Sequence, residues 1–161
     1  MTKDQLGMLI IESERQMYCT AKTILRNDQD CADAVQETIM KAFLKIDTLK
    51  KDKYAKTWLI RILINECYNL LRRESKLTLV ESVSGVSKAQ TEEKKDYSDL
   101  YQAVNLLKEE LKLPVVLYYA EEFSIREIAQ ILDLSEGAVQ KRLARARAQL
   151  KIQLERMEVL V

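Results

Sequence analysis

Three glycines and one proline are the only strong chain-breakers in 161 residues, and that scarcity constrains the fold more than any other feature. Tight hairpins draw on Gly, Pro and Asn-Gly turns, so an all-β chain is disfavoured. Apolar side chains instead return at steps of three and four. Leu6, Leu9, Ile10, Met17, Ala21, Ile24 and Leu25 share one side of a helix expected over residues 3–26. Asn27-Asp28 interrupts it, and Asp30 is the expected N-cap of a second helix reaching about Ile46, with Ala34, Val35, Ile39, Ala42 and Phe43 apolar. A cationic connection, Lys50 to Lys53, leads to a third helix from about Tyr54 to Arg73. Its apolar stripe contains Trp58, Leu59, Ile62, Leu63, Cys67, Leu70 and Leu71, which assigns Trp58 to the core rather than to stacking on a ligand. The opposite stripe is polar: Arg61, Asn65, Asn69 and Arg72 are spaced 4, 4 and 3 and share a face. Arg73 adds a positive charge suited to a helix C-terminus.

Residues 74–97 change character, with Ser, Thr, Glu, Lys and Gln dominant. They read as a flexible linker able to span up to about 80 Å. Leu77, Leu79, Val80, Val83 and Val86 leave open whether it docks. Helical pattern then resumes, with one helix expected from Asp99 to Leu111 and another, with Pro114 in its first turn, reaching about Glu122. Tyr118-Tyr119 on that helix is assigned to the core.

The sharpest local signal follows. Ser124-Ile125-Arg126-Glu127 is a capping box, in which hydroxyl and carboxylate satisfy reciprocal backbone donors. It opens a helix with Ile125, Ile128, Ala129 and Leu132 inward, and Ser135 caps a last helix from about Glu136 toward Met157. Two capped helices joined by about three residues form a helix-turn-helix. Ala129 is small where the helices cross, and Val139 packs the second onto the first. Asp133 stands at the turn position where glycine is commonest, and Asp tolerates the left-handed conformation better than most residues. The last helix carries Lys141, Arg142, Arg145, Arg147 and Lys151, with no acid between Gly137 and Leu154. Gln140, Lys141, Ala144 and Arg145 lie where such a helix meets base edges in the major groove, while Arg142 and Arg147 lie off that face and suit phosphates.

The net charge of +1 hides strong patterning. Residues 41–73 hold nine basic against three acidic groups, and residues 138–161 six against two. Residues 1–40 and 98–137 are acidic in net charge. Two cationic blocks, each preceded by an acidic one, offer two surfaces that could meet phosphates.

Two segments together resemble the extracytoplasmic-function sigma factors, the minimal two-domain promoter-specificity subunits of bacterial RNA polymerase. DQDCADAVQETIMKAF followed by KTWLIRILINECYNLLRR is similar to the family's region two, with its Asp-x-x-Asp-x-Val-Gln-Glu helix ahead of a Trp-Leu-x-x-Ile-x-x-Asn helix that ends in Arg-Arg. FSIREIAQILDLSEGAVQKRLARARAQLK is similar to its region-four helix-turn-helix. The resemblance implies an all-α protein of two small helical domains, residues 1–73 and 98–161, joined by the 74–97 linker.

The same resemblance implies roles. Asp33, Gln36 and Glu37 stand where the family docks on the polymerase β′ clamp helices. Lys50, Lys51, Lys53, Arg61, Asn65, Asn69, Arg72 and Arg73 stand at the −10 element, where amides read exposed base edges and cations hold phosphates. Ser135, Gln140, Lys141, Arg142, Ala144, Arg145 and Arg147 stand at the −35 element, with Gln140 and Ala144 departing from the family's more basic and bulkier choices. Implied partners are core polymerase (β′ clamp helices and β flap), promoter DNA and an anti-sigma factor. A linker of this length can straddle about two duplex turns of ~34 Å each.

Other functions fit less well. An autonomous helix-turn-helix regulator would more often carry a ligand pocket or a dimerising helix in its first half, and a purely helical adaptor has no use for an Arg-rich recognition helix. An enzyme is weakest: there is no histidine, no glycine-rich phosphate loop and no paired carboxylates with a partner base. Cys19, Cys31 and Cys67 are not spaced as metal or redox pairs, so neither a metal, a cofactor nor a small-molecule substrate is expected. The N-terminal MTKDQLGMLIIESERQ lacks a signal-peptide apolar stretch, and a cytoplasmic protein with reduced thiols is expected.

Overall fold

The computed structural model describes residues 1–80 and 98–159; the remainder of the expected 74–97 linker lies outside the described residues. Among them the regular structure is entirely helical, and the chain divides into two compact units.

The first unit is a three-helix bundle of α1 (Lys3–Ile24), α2 (Asp28–Leu44) and α3 (Ala55–Val80), each packed against the other two. Thr2 opens α1 with a capping box to Gln5. The core takes Leu6, Ile10, Met17 and Ala21 from α1, Cys31, Ala34, Val35 and Ala42 from α2, and Leu59, Ile60, Leu63, Ile64 and Cys67 from α3. At roughly 1.5–3 kcal/mol per buried large aliphatic side chain, this shared stripe holds the three helices together. Ile39, Phe43, Trp58, Ile62, Leu70 and Leu71 are half-buried at its margin.

Three expected boundaries move. Asn27, not Asp30, is the N-cap of α2: its Oδ1 accepts from the Asp30 N–H at 2.7 Å, and its Nδ2 donates to the Asp30 carboxylate at 3.0 Å. Because α1 stops at Ile24, the orphan donors of α2 begin three residues sooner than the pattern suggested. The chain leaves α2 at Leu44 through 3-10 turns at Ile46–Thr48 and Asp52–Tyr54. The third helix does not stop at Arg73 but continues to Val80. No Gly or Pro interrupts it there, and the Glu74 carboxyl meets that of Asp30 on α2, a hydrogen bond that raises the Glu74 pKa.

The second unit comprises α4 (Ser98–Asn105), α5 (Glu109–Val115), α6 (Ile125–Leu132) and α7 (Glu136–Val159). The single helix expected over 99–111 is broken between Asn105 and Glu109, where Leu107 turns inward to 5% exposure. Pro114 therefore lies inside α5 rather than in its first turn. A π-helical stretch, Val116–Ala120, follows it, and just beyond it Glu122 stands at φ 58°. Tyr118 is half-buried and Tyr119 is 53% exposed, so the expectation that both are core fails. Tyr119 stands two residues past buried Leu117, about 200° around at helical pitch, and so lies on the opposite side.

The helix-turn-helix forms by its own local chemistry. Ser124 Oγ accepts from the Glu127 N–H at 3.0 Å, and the Glu127 carboxylate accepts from the Ser124 N–H at 2.9 Å. Asp133 ends α6 in the left-handed region at φ 58°, ψ 50°, and Ser135 Oγ accepts from the Ala138 N–H at 3.0 Å. Ile128, Ala129, Val139, Leu143 and Ala146 are buried, while Ile125 and Leu132 are half-buried.

Candidate nucleic-acid interface

On α2, Asp33, Gln36 and Glu37 are exposed on the side opposite Ala34, Val35, Thr38 and Ala42. Gln29 Nε2 donates to Asp33 at 3.1 Å. Met40 and Leu44 continue that face at 59% and 79% exposure. Sequence reasoning missed these two; the available signal was an apolar pair in phase with Asp33 and Glu37 and out of phase with the buried stripe. The α2 surface is thus an acidic and amide-bearing strip with an apolar end, suited to a protein partner that has basic groups beside an apolar patch.

On α3, Arg61, Asn65 and Arg72 are exposed and Asn69 is half-buried, its Oδ1 accepting from the Arg72 guanidinium. Arg73 is exposed on the same helix. Lys50, Lys51 and Lys53 are exposed just before it. Lys53 Nζ lies 5.1 Å from the ring centroid of Tyr54, a part-exposed aromatic beside the cationic row that the sequence pattern does not single out. Beneath the row, Glu66 is buried and pairs with Lys41 of α2. This ion pair ties the helix bearing Glu37 to the helix bearing Asn65. Burial pushes the neighbouring thiols up, Cys31 to about 11 and Cys67 to about 12.

Ser135, just ahead of α7, and Gln140, Lys141, Ala144 and Arg145 on it are exposed. Arg142 and Arg147 are engaged within the unit: Arg142 Nη1 lies 3.4 Å from the Glu110 carbonyl oxygen, and Arg147 Nη1 donates to the Tyr119 hydroxyl at 2.8 Å. Among the described residues no cluster of His, Cys, Asp or Glu could hold a metal ion, and no helix is long and apolar enough to cross a membrane.

Comparison with known proteins covers both units. Residues 9–77 match the Sigma-70 region 2 family, and residues 97–150 match Sigma-70, region 4. The ECF RNA polymerase sigma factor SigM of Mycobacterium tuberculosis is 30% identical over 138 residues, 84% of this chain and 70% of that protein. The chain belongs to the ECF RNA polymerase sigma factors. RNA polymerase sigma factor SigV of Bacillus subtilis is 29% identical over 98% of this chain and 96% of its own length. Two solved structures share the fold. RpoE of Bartonella quintana, in complex with the anti-sigma factor NepR, has a TM-score of 0.79 and 25% identity, covering 96% of this chain and 98% of that one. CnrH, in complex with the cytosolic domain of CnrY, has a TM-score of 0.71 and 25% identity, covering 96% and 90%. The sigma regions coincide with the three surfaces: the α2 and α3 faces lie within region 2, and the α7 face within region 4.

Proposed function

We propose that this sigma factor acts in the cytoplasm as a non-catalytic specificity subunit, binding core RNA polymerase and selecting promoters by their −10 and −35 elements. The observation that carries the reading is the pairing of two exposed cation-and-amide rows, Arg61/Asn65 on α3 and Gln140/Lys141/Arg145 on α7, within regions 2 and 4 of one sigma chain.

Asp33, Gln36 and Glu37, extended by Met40 and Leu44, take the β′ clamp helices, and the region-four unit takes the β flap. Once the duplex opens, Asn65 and Asn69 read unpaired base edges while Arg61, Arg72, Arg73, Lys50, Lys51 and Lys53 hold the strand's phosphates. Capture of the single strand offsets the few kcal/mol needed to unstack a base. Gln140, Lys141 and Arg145 read the −35 duplex through the major groove, with Ser135 at the helix start and Ala144 making room on the same face. Polymerase supplies the catalysis. Control by an anti-sigma factor is supported by the complex of the similar sigma factor RpoE with the anti-sigma factor NepR.

Run-off transcription with purified core enzyme, on fragments upstream of the chain's own gene, tests this reading. The expected result is a discrete transcript that depends on the chain and is lost in Arg145→Ala, while Arg145→Ala still co-purifies with core. Failure to bind core, together with tight binding to duplex DNA as a dimer, would show an autonomous regulator instead.

A further inference from the structure

Around the α7 axis, at about 100° per residue, the buried stripe Val139, Leu143 and Ala146 lies roughly opposite the exposed Gln140, Lys141, Ala144 and Arg145. Arg142 and Arg147 fall between these faces, about 70° to either side of the buried stripe. Each is fastened to a different irregularity of the segment that α7 packs on. Pro114 has no N–H to give the Glu110 carbonyl four residues back, and the Arg142 guanidinium stands 3.4 Å from that oxygen. On the other flank, Tyr119 stands exposed within the π-helical stretch, and its hydroxyl accepts from Arg147 at 2.8 Å.

We propose that Arg142 and Arg147 are positioning residues, two struts that fix the rotation of the recognition helix about its own axis, and not phosphate contacts. This rests on the reading of α7 as the −35 reader. A helix held only by an apolar stripe can roll, because dispersion and burial are non-directional. A roll of about 20° moves a side-chain tip about 6 Å from the axis by roughly 2 Å. Base-edge hydrogen bonds tolerate about 0.5 Å. Two directional bonds on opposite flanks oppose rolling in both senses, so they act on sequence discrimination while leaving the count of neutralised phosphates unchanged. A phosphate contact would behave in the opposite way: its loss lowers the salt slope of log K by about 0.9 and weakens all sequences alike.

The test is fluorescence anisotropy of the full chain over a KCl series. One probe duplex is enriched by the wild-type chain from a randomised library, and the other is its scrambled counterpart. Tyr119→Phe removes only the hydroxyl acceptor, Arg147→Ala removes the donor, and the double variant closes the cycle; Arg142→Ala is measured alongside. The strut assignment expects about a fivefold loss of the enriched-to-scrambled ratio in each single variant. It also expects no further loss in the Tyr119→Phe/Arg147→Ala double variant and an unchanged salt slope throughout. A slope lower by about 0.9 in Arg147→Ala or Arg142→Ala overturns it in favour of a phosphate contact. So does a Tyr119→Phe chain that discriminates like the wild type. If the wild-type chain shows no preference between duplexes, the −35 reading falls. The same cycle followed by thermal melting then decides the strut, with non-additive losses upholding it and additive ones rejecting it.

Discussion

The Lys41–Glu66 ion pair should be asymmetric when broken, and its geometry says by how much. The Glu66 side chain keeps 5% of its exposure and that of Lys41 34%. Removing one member of a buried pair costs about 3–5 kcal/mol, chiefly because the other charge is left unpaired. Lys41→Met strands a carboxylate that has almost no water, so the full range of about 3–5 kcal/mol applies. Glu66→Gln keeps an amide oxygen as acceptor and leaves an ammonium on a flexible stem, a third of it already solvated and free to turn outward. Its cost should be about 1–2 kcal/mol. Lys41→Met/Glu66→Leu removes both charges together and should recover to within about 1 kcal/mol of the wild type or better. Urea unfolding followed by Trp58 fluorescence reads this unit selectively, since Trp58 is the chain's one tryptophan and stands on α3. Equal costs for the two single variants, or a double variant whose losses simply add, would refute the argument from burial.

Three further outcomes rest on the same structure. Asp133→Gly should stabilise the second unit by about 0.5–1 kcal/mol and Asp133→Ala destabilise it, because at φ 58° glycine carries no Cβ penalty and alanine lacks the polar side chain that eases it; circular-dichroism melting that ranks alanine above glycine would contradict this. Burial, the largest influence on both thiols, pushes Cys31 up to about 11 and Cys67 up to about 12, whereas in the unfolded chain both ionise near 9.0. The folded chain therefore keeps protons that the unfolded chain releases above pH 9, and stability should fall as pH rises from 9 toward 11. At neutral pH, thiol reagents should modify exposed Cys19 and spare the other two until the chain unfolds. Fast modification of a second thiol in the native protein would count against that burial.

The parts of the fold that could be read from the chain were those whose physics is local. The Ser124–Glu127 capping box closes within four residues, and the left-handed Asp133 follows from the residue type at a turn between two amphipathic runs. The exposed polar face of α7 and the acidic face of α2 follow from helical phase alone. The missed boundaries all involve competition between residues that are locally equivalent. Asn27 and Asp30 are both competent caps, and the place where α1 ends chooses between them. Ser and Thr beyond Arg73 neither stop a helix nor demand one, and the meeting of Glu74 with Asp30 accompanies its extension. The break after Asn105 lets both Leu107 and Leu111 turn inward, a requirement set by the rest of the second unit.

Periodicity and capping operate over three to four residues, so the order of amino acids is enough to make this chain helical, to site its helix-turn-helix, and to set which faces carry acid, amide and cation. Which of those charges are available to a partner depends on long-range packing. Arg142 and Arg147 look like their neighbours in the sequence. Their acceptors come from 32 and 28 residues earlier, a carbonyl facing a proline without an N–H and an exposed tyrosine within the π-helical stretch. Nothing within a helical turn of either arginine encodes those partners, since they are brought there by the packing of α7 on α5.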